Sequence, residues 1–202
     1  MKRSVLAVAA IALSASAAQA QMSTPTAVRP YTFGISAGAS FPTGDISSTD
    51  VNAATVGGAQ TGFNVNGIIG YEMPGLPFGL RGELMYDRFA IDKNYAQGAS
   101  ANYSVLGGNV NAVLNLGTGM AVQPYLIGGV GYSQLKATSG SSGASFSVSK
   151  SGVGFNGGLG FRFPLGEMST FLEARYHYVN TQDTNTGSPN ATFIPVSFGI
   201  LF

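Results

Sequence analysis

The stretch YTFGISAGASF at residues 31–41 decides the fold, because its side chains alternate strictly between two kinds. Successive side chains of a strand point to opposite faces of the sheet. One face carries Tyr31, Phe33, Ile35, Ala37, Ala39 and Phe41, and the other carries Thr32, Gly34, Ser36, Gly38 and Ser40. The pattern predicts a β-strand that is apolar on one side and small or polar on the other.

The same alternation recurs along the rest of the chain, and we predict eight strands in total. After 31–41 they cover 61–72, 78–87, 103–115, 121–135, 151–163, 170–179 and a last strand that ends at Phe202. The fifth strand is rich in Gly, so its facing is ambiguous. Three links are tight turns with Gly or Pro, at 74–77, 117–119 and 165–168, and four are long and polar, at 43–60, 88–101, 136–150 and 180–191.

Composition excludes several classes of protein. The chain has 202 residues, of which 9% are charged and 45% hydrophobic, with no Cys and a formal net charge of +1. The absence of Cys excludes a disulfide framework, a thiolate metal site and a cysteine nucleophile. The hydrophobic content argues against disorder, and the near-zero charge offers no basic field for nucleic acid.

The first twenty residues have the pattern of a secretory signal peptide. A positive start at Lys2 and Arg3 precedes an apolar run over 5–13, and Ala18 and Ala20 supply small residues at a cleavage position. We therefore predict a signal peptide over 1–20, a periplasmic lead-in over 21–30 and a barrel domain over 31–202. Removal of Lys2 and Arg3 with the signal peptide leaves 8 basic and 9 acidic residues, so the mature chain carries one net negative charge.

The two faces of the strands are assigned by their composition. In a soluble barrel roughly 25–35% of the surface residues would be charged, whereas only 9% of all residues in this chain are charged. Aromatic residues near the strand ends fit two interfacial girdles: Tyr31, Phe41, Tyr71, Tyr86, Phe163, Tyr178 and Phe202. The prediction is an all-β, eight-stranded antiparallel transmembrane barrel, an up-and-down meander with both termini periplasmic and four loops at the cell surface.

Three segments resemble the small OmpA/OmpX-type outer-membrane barrels. They are PYLIGGVGY at 124–132, FLEARY at 171–176 and FGILF at 198–202, and the resemblance covers about 31–202. It implies location in the outer membrane of a Gram-negative-type bacterium, and the barrel-only OmpX-like form is the nearer match. It also implies that Phe202, with Ile200 and Phe198 behind it, is the signal read by the barrel-assembly machinery.

The charged residues of the strands are predicted to face the lumen. They are Glu72, Arg81, Glu83, Asp87, Arg162, Glu173, Arg175 and His177. Buried charges must be paired, and neighbouring strands make Glu72–Arg81 and Arg162–Glu173 the expected pairs. We interpret the set as a salt-bridge network that fills a narrow lumen; the alternatives are the selectivity lining of a pore and a catalytic Glu/His site.

No catalytic constellation is evident. His177 is the only histidine, so a multi-histidine metal site is excluded and no cofactor is expected. Barrel enzymes that deacylate lipid A carry a His-x-Ser pattern, but Tyr178 and Val179 follow His177 here. We predict a non-enzymatic, monomeric protein that supports envelope integrity or surface interaction through its loops, with a narrow pore for ions or small solutes as the alternative. Its expected partners are outer-membrane lipid and lipopolysaccharide, and the assembly machinery during biogenesis.

Overall fold

A computed structural model describes residues 30–44, 47, 59–91, 100–117, 119–141, 144–180 and 190–202. Eight strands follow in chain order: β1 Tyr31–Thr43, β2 Gly62–Glu72, β3 Phe78–Ala90, β4 Ser100–Asn115, β5 Gln123–Ser141, β6 Ala144–Leu165, β7 Met168–Val179 and β8 Ala191–Leu201. Within these ranges, no helix is long and apolar enough to cross a membrane. The predicted signal peptide and most of the lead-in lie outside the described residues.

The strands form a closed barrel in which each strand pairs with its neighbours in sequence. All pairings are antiparallel, and β8 closes the ring on β1 from Gly34 opposite Leu201 to Thr43 opposite Thr192. Beyond the ladder, the backbone amide of Phe202 donates to the oxygen of Phe33 at 2.7 Å. The predicted eight-stranded antiparallel meander is confirmed.

The two ends of the barrel differ in their connections. The three tight turns each contain a glycine with positive φ, at Gly75, Gly119 and Gly166. We call this end of the barrel the turn end; the first residue of β1 and the last residue of β8 also lie there. We call the opposite end of the barrel the loop end. In outer-membrane barrels short turns face the periplasm and long loops the cell surface.

One predicted loop is wrong. Residues 136–150 continue the strands, so that β5 and β6 form a hairpin whose ladder extends from Lys136 opposite Ser149 to Ser141 opposite Ala144. Polar composition suggested a loop, but a ladder is held by backbone hydrogen bonds and accepts Ser and Thr side chains. Of the other three long links, the segments 48–58, 92–99 and 181–189 lie outside the described residues.

Burial assigns the two faces as predicted. The apolar row is exposed, with Leu84 73% and Val153 65% accessible, whereas Asn64 and Asn111 on the other row are each 1% accessible. The aromatic girdle residues belong to the outward row, and Tyr31 packs on Tyr71 with ring centroids 5.1 Å apart. Tyr125, Ile127 and Ser133 of the ambiguous fifth strand are buried and face inward.

Candidate functional site in the lumen

Four charged side chains form a ring across the middle of the lumen. Arg81 and Glu83 come from β3, and Glu173 and Arg175 from β7, which lies directly opposite β3 in an eight-stranded ring. Arg81 donates to Glu173 at 2.7 Å, and Arg175 contacts Glu83 at 2.5 Å and Glu173 at 2.8 Å. The side chains of all four are at most 5% accessible. We call this group the charge ring; it is formally neutral and links opposite walls.

A second ion pair crosses the lumen nearer the turn end. Arg162 of β6 donates to Glu72 of β2 at 2.7 Å, and both side chains are partly accessible. Asn115 also donates to Glu72, at 3.1 Å. Because β2 and β6 are again opposite strands, this pair repeats the cross-lumen geometry of the charge ring.

The predicted pairing of these residues is therefore wrong. Glu72 contacts Arg162 instead of Arg81, and Arg81 contacts Glu173. In the register of β2 and β3, Arg81 lies opposite Gly70, two residues from Glu72. The expected partners are thus diagonal neighbours on one wall of the barrel. In a narrow barrel, however, long inward side chains point toward the axis, and there they meet side chains from the opposite wall.

Asp87 lies on the loop-end side of the charge ring in a layer of hydroxyls and amides. Ser40 donates to its carboxylate, and Asn64 donates to the Ser40 hydroxyl at 3.2 Å. Ser197 in turn donates to Asn64 at 2.7 Å. Asp87 is 2% accessible and has no cationic side chain within 4.0 Å among the described residues, so hydrogen bonds rather than an ion pair hold this carboxylate.

Two aromatic side chains under the charge ring were missed by the sequence analysis. The Tyr125 hydroxyl donates to Glu173 at 2.7 Å. The Arg81 guanidinium lies 5.4 Å from the ring centroids of both Tyr125 and Phe171, within the range of a cation–π interaction. Arg81 Nη2 has no hydrogen-bond partner. The rings of Tyr125 and Phe171 instead provide the guanidinium with cation–π contacts. The ambiguous facing of the fifth strand concealed Tyr125.

The loop-end part of the lumen contains an apolar cluster that the sequence analysis also missed. Phe89 and Phe193 are fully buried with ring centroids 5.6 Å apart, and they come from β3 and β8. His177 stacks on Phe193 at 5.1 Å. The cluster consists of Ala59, Met85, Phe89, Ile91, Tyr103, Val105, Val179, Ala191 and Phe193. We call it the apolar cap, since it lies on the loop-end side of the charge ring.

Glycines on the inner face reflect crowding rather than open space. A Cβ built on Gly38, Gly129 or Gly158 would lie 1.9, 2.1 or 2.2 Å from a backbone oxygen of the neighbouring strand. Side chains converge on the concave side of a tightly curved sheet, so only glycine fits there. The small-residue inner face thus has a packing cause and does not by itself indicate a pore.

All eight predicted charged residues belong to the inward row, and the structure brings seven of them into the contacts above, while His177 stacks on Phe193 of the apolar cap. No group of three His, Cys, Asp or Glu side chains suited to a metal ion occurs among the described residues. Of the predicted assembly signal, Phe198 and Phe202 point outward and are 55% and 53% accessible. Their role in assembly stays a prediction.

A closed barrel with an apolar exterior and a polar interior defines a transmembrane β-barrel of the outer membrane. The chain belongs to the outer membrane protein beta-barrel domain family, which it matches over residues 5–202. It is accordingly a protein of the outer membrane of Gram-negative-type bacteria. No curated protein matches its sequence.

Solved structures share the fold at low sequence identity. Neisserial surface protein A is 20% identical with a TM-score of 0.54, covering 86% of this chain and 96% of its own. The attachment invasion locus protein Ail of Yersinia pestis, in complex with the heparin analogue sucrose octasulfate, is 18% identical with a TM-score of 0.55, covering 86% and 100%. A major outer membrane protein of Thermus thermophilus is 15% identical with a TM-score of 0.57, covering 86% and 99%.

Proposed function

We propose that this protein is a non-enzymatic, non-conducting barrel that supports envelope integrity or surface interaction through the long links at its loop end. The observation that carries the proposal is the layered filling of the lumen, from the apolar cap through the charge ring to the Glu72–Arg162 pair. A hydrophobic constriction opposes ion passage because it excludes water. The working surface is then sought in the loops, where functional residues concentrate on rigid scaffolds.

Two features of the interior argue against the pore alternative. The inner glycines lie against neighbouring strands, and the ion pairs occupy the axis instead of lining a channel. The binding of a polyanionic ligand by Ail is consistent with a surface role for a barrel of this fold. At 18% identity it supports no particular ligand for this chain.

Loop replacement tests the proposal in cells. The segments 48–58, 92–99 and 181–189 are replaced one at a time by short Gly-Ser linkers in a strain that lacks the native protein. We expect each variant to reach the outer membrane folded, shown by a heat-dependent shift in gel mobility, and at least one to lose resistance to detergent or adherence to host matrix. Full retention of both phenotypes by all three variants would contradict a function in the loops.

The alternative that the protein is a lipid A-modifying enzyme is tested by the mass of lipid A. Lipid A is extracted from cells that express the protein and from cells that do not, and the two samples are compared by mass spectrometry. We expect identical masses, because His177 is buried inside the barrel and stacked on Phe193. Loss or gain of an acyl chain would overturn the non-enzymatic assignment.

A further inference from the structure

Prolines within the described strands lie near strand ends, with one exception. Pro42, Pro124 and Pro164 are each the second or the penultimate residue of their strand, where one of the two neighbouring ladders has already ended. Pro195, in contrast, lies in the middle of β8. Because proline has no backbone N–H, it is confined in most sheets to edges, strand ends or bulges, and a closed barrel has no edge.

Pro195 interrupts the ladder between β7 and β8 but not the ladder between β8 and β1. On the β1 side the register is continuous, and Pro195 lies opposite Ser40. On the β7 side the two rows that would join Arg175 and Tyr176 to β8 are missing from an otherwise continuous register. The gap is thus confined to one side of one residue.

The alternation of backbone hydrogen bonds explains why the loss falls on β7. Phe33 and Phe202 exchange two hydrogen bonds, at 3.2 and 2.7 Å, where β1 meets the end of β8. Bonded and non-bonded pairs alternate along an antiparallel ladder, so the pair Ser40–Pro195, an odd number of rows away, is a non-bonded pair. An amide at position 195 would therefore donate to the Arg175 carbonyl, and with proline there this carbonyl lacks its ladder donor.

The two neighbours of β8 hold it unequally. Gly38 of β1 lies so close to β8 that a Cβ built on it would be 1.9 Å from Val196 O. On the other side, β7 is tied across the lumen to β3, because Arg175 contacts Glu83 and Glu173 contacts Arg81. The strand β7 is thus fixed to the opposite wall and β8 to β1, with the interrupted ladder between them.

We propose that the barrel wall opens locally between β7 and β8 at Pro195, and that water from the lumen then hydrates the Arg175 carbonyl. A backbone carbonyl without a donor is costly in a wall surrounded by lipid. A bonded pair normally exchanges two hydrogen bonds, so the pair Arg175–Pro195 retains one at most. The weak seam of the barrel is therefore β7–β8, one strand away from the seam that joins the two chain ends. This inference goes beyond the proposed function, because it concerns the wall and not the loops.

Amide hydrogen exchange of the folded, isotopically labelled protein in lipid nanodiscs tests the proposal, with NMR resolving single amides. The Arg175 amide points to β8 across the interrupted ladder, and the Val196 amide points to β1 across an intact one. We expect the protection factor of Arg175 to be about tenfold lower than that of Val196, because an isolated hydrogen bond opens more often. Equal protection of the two amides in the parent protein would overturn the proposal.

Two proline variants assign the difference to the missing donor. P195A restores an amide at this position and is expected to raise the protection factor of Arg175 about tenfold. P164A makes the same substitution at the penultimate position of β6 and is the matched control, which is expected to leave Arg175 unchanged. Unchanged protection in P195A, or an equal gain in P164A, would contradict the role given to Pro195. Heat-dependent gel mobility verifies that each variant is folded, and the comparison within the parent protein requires neither variant.

Discussion

At the scale of single residues, Glu173 is the acceptor on which three buried donors converge: Arg81, Arg175 and Tyr125. Removing one member of a buried ion pair leaves an unpaired charge and costs about 3–5 kcal/mol. We expect E173Q to lower the free energy of unfolding by about 3 kcal/mol, measured by urea titration in lipid vesicles.

Glu167, an exposed acid in the turn between β6 and β7, provides the control for that experiment. Surface substitutions stay within about 0.5 kcal/mol, and we expect E167Q to do the same. If E173Q were as stable as E167Q, the charge ring would not stabilise the barrel.

Tyr125 offers a test of a single hydrogen bond. Its hydroxyl donates to Glu173 in the buried interior, whereas the Tyr132 hydroxyl donates to Ser151 at 2.8 Å on the exposed outer face. We expect Y125F to lower the free energy of unfolding by about 1.5–3 kcal/mol, as for a bond to a charged group. Y132F is the matched control with a smaller expected effect, and equal losses in the same titration would contradict the role given to Tyr125.

The inward facing of these residues was predictable from the sequence, but their partners were not. Alternation places Arg81 and Glu173 on the inner row whatever the shape of the sheet. Their contact requires that β3 and β7 face each other, and this depends on closure and on the width of the barrel. Sequence spacing carries no information about that distance.

At the scale of strands, the inner face of β6 is shaped around Tyr125 of β5. A Cβ on Gly160, which lies opposite Tyr125, would be 2.3 Å from its ring, whereas Gly157 on the outward row of β6 has only Ile127 O at 4.0 Å. We expect G160A to cost about 1–3 kcal/mol by overpacking. G157A is the control on the same strand and is expected to be neutral, both measured by thermal unfolding; equal midpoints would contradict the packing account.

The last strand carries the predicted assembly signal. Phe202 is 53% accessible and pairs by its backbone with Phe33 at the closing seam. We expect F202S to reduce the folded protein in outer-membrane fractions severalfold while refolding in vitro is little changed. F155S, which alters an equally exposed outward aromatic on β6, is the control, and equal reductions in both variants would show a general loss of apolar surface instead of a signal.

Strand positions followed from alternation, but the long β5–β6 hairpin did not. Lys136, Thr138 and Ser147 are polar and lie beyond the apolar belt, so no period of two remained to mark a strand. Outside the membrane both faces of a strand contact water, and the strand is held only by its backbone hydrogen bonds to the neighbouring strand. Apolar alternation therefore reveals only the part of a strand that lies in lipid.

At the scale of the whole molecule, the lumen is a stack of layers that no single strand reveals. The apolar cap combines Met85 and Phe89 from β3 with Tyr103 from β4 and Phe193 from β8. In each strand these residues are one or two apolar positions near the loop end of an inward row that is mostly polar or small elsewhere. Only closure of the barrel brings them together, which explains why the sequence predicted a polar interior throughout.

The most direct test of this account is the single-channel conductance of the protein in a planar lipid bilayer. Recovery of folded protein from the same vesicles before fusion shows that barrels are present. Because the apolar cap and the charge ring fill the axis, we predict no current steps above those of the bare bilayer. Steady, ion-selective openings would contradict the filled lumen and would identify the protein as a pore.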